Sequence, residues 1–298
     1  MMRIRVILNG KKAALGPVRN AIYHARKDGP VEVRTTWENG DVQRLVQEAC
    51  ADGCTRLVAG GGDGTVKEVV DSFMRLHQED RPELAILPLG TANDFATACG
   101  IPDNPLSAIN LAQTGKTSSV DCIQANEQYF INVASGGFGA HVTANTPVEL
   151  KNFLGGGAYT ISGLIQAVKF VPYQGELRTP EGTLKSKAII GAACNGRQAG
   201  GGQQLAPDAL INDGLMDLVA LLDFPKERLL QVIKEVQDPD SKGDYVKRYR
   251  VPWAEWESDV VMPTNLDGEP FSTNLMRFDV IPGAINLVLP EDCQLLGS

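Results

Sequence analysis

Two short polar clusters have residue types and spacing that could do chemistry. The first runs from Leu57 to Val70, LVAGGGDGTVKEVV, where three glycines and an Asp–Gly step part an apolar run from a helical pattern. A loop leading from a buried strand into a helix presents free N–H groups and the positive end of the helix dipole to one point, which makes an anion site. Gly60, Gly61, Gly62 and Gly64 would let phosphates approach the backbone and would permit positive φ. Asp63 is the anomaly. A carboxylate beside phosphate is unfavourable unless magnesium or a transferred proton offsets its charge, so Asp63 is expected to be catalytic or metal-linked. Taken alone, the run also fits a tight strand-to-helix turn.

The second cluster, PLGTANDFA from Pro88 to Ala96, offers Gly90, Thr91, Asn93 and Asp94. By itself it could be a helix start capped by Asn93 or Asp94. Two such loops at the ends of neighbouring parallel strands converge on one ligand more easily than on two, at the switch point of an open sheet. Familiar phosphate fingerprints fail on spacing. Thr65 stands where GxGxxG needs its last glycine, and the GKT at Gly115–Thr117 has Asn110 where a P-loop needs glycine.

The elements that must hold these loops are legible in the first 125 residues, where apolar runs alternate with helical periodicity. RIRVILN, VEVRTTW, TRLVAG and ELAILPLG read as strands. GPVRNAIYHARKDG, GDVQRLVQEACADG, TVKEVVDSFMRLH and NPLSAINLAQTG read as helices. The alternation predicts an α/β domain with a doubly wound parallel sheet over residues 1–125. Over 126–298 the pattern turns to β-branched strands and turn pairs, YFINVAS, KAIIGAACNG, GLMDLVALL, RYRVPWAEWES and LMRFDVIPG, which predict a second, mostly antiparallel domain. AYTISGLIQAVKFV within it has helical spacing, a stripe that fits core packing and could also dock an acyl chain through Ile165 and Val168.

Composition bounds the partners. The 298 residues are 43% hydrophobic and carry a net charge of −8, so no global positive field draws nucleic acid or an anionic membrane. Six cysteines without a CxxC pair read as buried hydrophobes in a reducing compartment, and His24, His77 and His141 have no partner at metal-ligand spacing. No stretch approaches the roughly 18 apolar residues of a membrane span. The expectation is a cytoplasmic, soluble protein that visits the membrane surface if its substrate is a lipid.

GGGDGT, PLGTANDFA, NGRQAGGGQQLAP, INDG and LDGEP, in this order between residues 60 and 270, together resemble the diacylglycerol-kinase catalytic family, and most closely its bacterial YegS-type lipid kinases. The resemblance spans nearly the whole chain. It implies a nucleotide-binding α/β domain related to NAD kinases and phosphofructokinases, then a β-sandwich domain, with the active site between them and ATP as co-substrate. Gly61, Gly62, Asp63, Gly64, Thr65, Val66, Lys67 and Glu68 would cradle ATP, joined by Thr36, Thr91 and Asn93. Asp94 and Asp121 match carboxylates of a magnesium and water network. LINDGL implies a further site for magnesium, calcium or another divalent ion, through carbonyls of Leu210 and Leu215 and the loop bearing Asp213; by pattern alone its NDG reads as a hairpin turn. Glu269 resembles the proton acceptor, with Asp63 its competitor, and the acceptor would be a hydroxyl of a membrane lipid such as diacylglycerol or phosphatidylglycerol.

Two departures bear on the triphosphate end. Lys67 stands where members commonly have asparagine, and Thr97 where some carry arginine, so support must come from elsewhere, Lys11 being the nearest candidate. Two rival functions stay open: an NAD kinase-like enzyme acting on a soluble nucleotide, and a non-catalytic nucleotide or metal sensor.

Overall fold

The first 36 residues lay down one edge of a parallel sheet. β1 (Ile4–Asn9) pairs on one side with β2 (Val31–Thr36) and on the other with β3 (Arg56–Gly61), which pairs in turn with β4 (Glu83–Pro88), giving the order β2-β1-β3-β4. The computed structural model describes residues 2–137, 170–238, 240 and 243–297. The helix expected around Ile161–Val168 and the histidine at 141 lie outside the described residues.

Two helical layers cover this sheet because each helix carries one apolar stripe. α2 (Gly16–Asp28) and α6 (Pro105–Thr114) bury Val18, Ala21, Ile22, Ala108 and Ile109 on one face, against Val6, Leu8 and Val58. α3 (Asp41–Ala51) and α4 (Asp63–Met74) bury Val42, Leu45, Val46, Val69, Val70 and Phe73 on the other, against Ile7, Leu57 and Ala59. Asn104 caps α6 by accepting the amides of Leu106 and Ser107. A short α1 (Gly10–Ala13) follows β1, and α5 (Asp94–Ala98) follows β4.

β5 (Thr117–Ala125) leads into the second domain, in which β6 (Gln128–Phe130), β7 (Val133–Gly137), β8 (Tyr173–Thr179), β9 (Gly182–Cys194), β12 (Met216–Leu222), β13 (Val246–Val251), β14 (Trp253–Leu266) and β15 (Glu269–Val288) pair almost wholly antiparallel. A small ladder of β10 (Gln198–Ala199) and β11 (Gln203–Gln204) lies apart, and α7 (Leu229–Gln237) packs Val232 under the outer strands. β15 pairs with β14 and then with β5, and its Leu287 meets Leu84 of β4. The tail after it places Leu289, Cys293 and Leu295 in one core with Ile7, Phe95 and Cys99.

Several strand boundaries differ from the sequence pattern. YFINVAS is two strands, because the amides of Ile131, Asn132 and Val133 turn to a side chain. RYRVPWAEWES breaks at Pro252, which has no N–H for the ladder. LMRFDVIPG lies inside the 20-residue β15. NDG is no hairpin: Asn212 exchanges hydrogen bonds with Gly297, and Gly214 donates to Asp121. His77 precedes a single 3-10 turn rather than sitting in a helix.

Candidate active site

The two glycine loops lie side by side at the carboxyl ends of β3 and β4, whose register pairs Gly61 with Pro88. Leu89 N–H donates to Gly61 O at 2.8 Å. Gly62 and Gly90 then touch backbone to backbone: a Cβ on Gly90 would lie 2.5 Å from Gly62 Cα, and one on Gly62 3.0 Å from Gly90 Cα. The positive φ expected of these glycines is not found. None of Gly60, Gly61, Gly62 and Gly64 has positive φ. Gly60 is needed against Leu8, Gly61 against the Thr65 side chain, and Gly62 against the second loop. Gly64 faces no backbone; its missing Cβ would stand 3.1 Å from Glu269 Oε1.

α4 begins at Asp63, so the amides of Asp63, Gly64 and Thr65 have no carbonyl within the helix to donate to. The Val66 amide is spent on Gly62 O at 3.1 Å, and the Val66 side chain is core. Asp63 Oδ2 accepts the Asn93 amide at 3.0 Å, while Asn93, at φ 51, returns its Oδ1 to the Gly90 amide at 2.8 Å. Asn93 thus clips one loop to the other. Burial pushes the Asp63 carboxyl above its usual range, and the charge of Asp94 adds to the shift. Two carboxylates so placed fit a divalent cation, whose charge would offset both effects.

Asp94 is 5% exposed and holds the second domain, its oxygens accepting the amides of Gly201 (2.9 Å) and Gly202 (2.7 Å). Gly200, Gly201 and Gly202 all have positive φ, the left-handed backbone that turns these N–H groups inward. Asp121 does the same elsewhere, accepting the amides of Gly214 (2.7 Å) and Gly283 (2.8 Å). The two carboxylates expected to share a magnesium network are therefore each engaged by a separate pair of amides. Asp213 is bound by Arg250 and by the Leu215 amide, so the loop from Leu210 to Leu215 has its acidic charge already compensated. Among the described residues no group of three or more His, Cys, Asp or Glu side chains is placed to hold a metal.

Glu269 comes from the turn between β14 and β15, where Asp267 (φ 48) and Gly268 (φ 98) make a two-residue hairpin. It projects to the start of α4, and its charge, after burial, raises the Glu68 carboxyl above its usual range. What fixes the turn is Asp267, a residue the sequence motif contained without revealing its part. Its carboxylate is buried beneath the turn and accepts the amides of Ile131 (2.9 Å), Asn132 (3.1 Å) and Val133 (2.7 Å). Burial pushes it up to about 6, opposed by those three amides.

The remaining expected residues divide. Thr36 ends β2 at the same sheet edge, two strands or about 10 Å from β3, a reach that suits one nucleotide. Thr91 is exposed in the second loop. Lys67 turns away: it is buried, and its ammonium donates to Gln128 Oε1 of β6 at 3.1 Å.

Comparison with known proteins agrees with this arrangement. Residues 3–125 match the profile of the diacylglycerol kinase catalytic domain, and residues 132–289 that of the YegS C-terminal NAD kinase beta sandwich-like domain. The chain is 48% identical, over 99% of its length and 96% of the relative's, to a probable lipid kinase YegS-like of Shewanella frigidimarina. It is 45% identical to the corresponding protein of Yersinia enterocolitica over 98% of each chain. The crystal structure of a putative diacylglycerol kinase from Bacillus anthracis superposes with a TM-score of 0.77 over 97% of each chain at 21% identity, which speaks to the fold. With both profiles in sequence order along two domains and near-full-length relatives above 40% identity, the chain belongs to the diacylglycerol-kinase catalytic family, in its YegS-like lipid kinase branch.

Proposed function

We propose that the protein phosphorylates a hydroxyl of a membrane lipid, using ATP and magnesium. The observation that carries the reading is the approach of Glu269, from the second domain, to Gly64 in the first turn of α4. A carboxylate that is costly beside bound phosphate is well used if it receives the proton of the attacking hydroxyl. The amides of Gly64 and Thr65 hold the phosphates, and the backbone contact of Gly62 with Gly90 keeps both loops rigid beneath them. Asp63 would help hold magnesium, which when bound neutralises charge developing on the phosphoryl oxygens, with Asp94, already engaged by the Gly201 and Gly202 amides, contributing its charge from beside it. A cation at the Leu210–Leu215 loop would first have to displace Arg250 from Asp213. The names of the curated relatives support a lipid as acceptor. Among the described residues no helix is long and apolar enough to cross a membrane, so the protein would meet its substrate at the membrane surface.

The test is labelled ATP, Mg²⁺ and mixed micelles of total bacterial lipid, with products resolved by chromatography. Wild type should label a lipid, and Glu269→Gln should lower turnover by at least about 100-fold while binding ATP nearly as well. Turnover of the variant equal to wild type would remove Glu269 as base and leave Asp63. Formation of NADP in place of a labelled lipid would move the protein to the NAD kinase-like class.

A further inference from the structure

The segment after β15 is tied down twice on the first domain and its neighbours. A turn closed by the Cys293 amide on Pro290 O, at 3.2 Å, sets Pro290 against Gly100, whose missing Cβ would lie 3.9 Å from the proline ring. Further on, Leu295 O accepts the Ile211 amide at 2.9 Å, and Gln294 O accepts Arg197, whose Nε donates to Ala209 O. Between these ties Cys293 meets Cys99, the residue that closes α5, in one apolar core. The Cys99 thiol donates to the Cys293 sulfur, which also accepts the Leu295 amide. Cys99 is wholly enclosed, whereas Cys293, between the exposed Asp292 and Gln294, is 9% exposed.

These surroundings set Cys293 apart from the other five cysteines. Burial raises the thiols of Cys50, Cys54, Cys122 and Cys194, and the bond it donates to Cys293, then burial, raises that of Cys99. Cys293 alone is moved below the ordinary thiol range. The hydrogen bond from Cys99 is the main cause, helped by the Leu295 amide and the charge of Arg197 and opposed by burial and the charge of Asp292. The thiolate is the nucleophilic form of cysteine, and a reactive thiolate at the rim of the surface with a second thiol against it has both parts of a reversible redox site.

We infer that Cys293 and Cys99 form a modification site, oxidised by hydrogen peroxide or an organic hydroperoxide to a disulfide that slows the enzyme. The Cys293 sulfur attacks one peroxide oxygen, the O–O bond breaks, and the released oxygen leaves with a proton as water or alcohol, giving a sulfenic acid. The Cys99 sulfur then attacks the Cys293 sulfur, the S–O bond breaks, and that oxygen leaves as water with the Cys99 proton. In all, two thiols give two electrons and two protons to one hydroperoxide, and a dithiol reductant reverses the change. The consequence reaches the nucleotide site along α5. The first residue of this five-residue helix, Asp94, holds the Gly201 and Gly202 amides, and Asn93 just before it clips the two loops together. Arg197, on the tail's other side, lies just before the same Gly200–Gly202 turn. Joining the sulfurs draws α5 and the tail together, and a displacement near 1 Å at a positioned reactant costs roughly 100-fold in rate.

The test treats the full-length, fully reduced protein with hydrogen peroxide and then with dithiothreitol. Free thiols in denaturant, cysteine peptides by mass spectrometry, ATP affinity and lipid phosphorylation are followed at each stage. Peroxide should take the free thiols from six to four, leave one cross-linked peptide pair holding Cys99 and Cys293, weaken ATP binding and lower turnover at least about tenfold. Dithiothreitol should restore all of these. Under the same dose Cys293→Ser should keep its five remaining thiols and full turnover. Cys99→Ala should form no disulfide and should carry instead a sulfenic acid at Cys293, trapped by dimedone; if that variant fails to fold, Cys293→Ser carries the test alone. Six free thiols after peroxide, or a cross-link between any other pair, would overturn the site. A Cys99–Cys293 disulfide with unchanged turnover and ATP affinity would overturn its effect on the enzyme. The thiol count, peptide map and ATP titration need no lipid acceptor, so a reduced protein that phosphorylates no lipid would count against the kinase reading alone.

Discussion

Replacing Gly90 by alanine isolates the contact on which the nucleotide site stands. The new Cβ would sit 2.5 Å from Gly62 Cα and 2.6 Å from Asn93 Oδ1, where ordinary contact begins at 3.4 Å. One obstacle is backbone, so no rotamer relieves it, and the loops must part by 3.4 − 2.5 = 0.9 Å. Overpacking of this kind costs about 1–3 kcal/mol, which should lower the melting temperature by about 2 °C per kcal/mol in a chain of this size. A displacement near 1 Å at a positioned reactant costs roughly 100-fold in rate. Gly64→Ala is the control. Its Cβ meets only Glu269 Oε1, at 3.1 Å, the mobile end of a side chain, and alanine favours the helix over glycine by up to about 1 kcal/mol. Gly64→Ala should therefore melt at or above wild type yet turn over more slowly. Calorimetric melting, ATP titration and initial rates on the three proteins make the comparison. Gly90→Ala with wild-type melting and ATP affinity would refute the account of the glycines as packing residues.

Three further outcomes follow from the carboxylates and the buried lysine. Asp94→Ala leaves the amides of Gly201 and Gly202 without their charged acceptor and should cost about 1.5–3 kcal/mol in urea unfolding, with Asp94→Asn intermediate. Asp267 rises from its ordinary 3.8 to about 6, so between those values the folded form alone holds the proton, and stability falls as pH rises through that window. Wild type should lose about 2 kcal/mol between pH 4.5 and pH 7 from this group, a difference that unfolding of Asp267→Asn at both pH values should lack. Lys67→Met removes one hydrogen bond to Gln128, so stability should stay within about 1 kcal/mol and the ATP KM within about threefold; a tenfold rise in KM would put the ammonium on the nucleotide.

The sequence by itself determined the four strands and four helices that frame the first domain and the positions of the two loops. Those signals are local: Val42, Leu45, Val46 and Ala49 repeat at helical spacing and are buried as that spacing requires, and a glycine run between strand and helix is readable in ten residues. Pattern also brought Glu269 to attention through a short turn motif, although only the fold sets it against Gly64, some 200 residues earlier in the chain. Tertiary structure alone decided what the remaining polar groups do. Asp94, Asp121 and Asp267 accept amides that lie roughly 90 to 160 residues away, so nothing in their own neighbourhoods distinguishes them from metal ligands or a surface turn. Gly62 and Gly90 are glycines because of each other, and the Lys67 ammonium is held by a glutamine on another strand. Periodicity records which face of an element is buried. The partner of a buried carboxylate, ammonium or missing Cβ is fixed only when distant segments meet, because close packing and hydrogen bonding are properties of the contact and not of the residue.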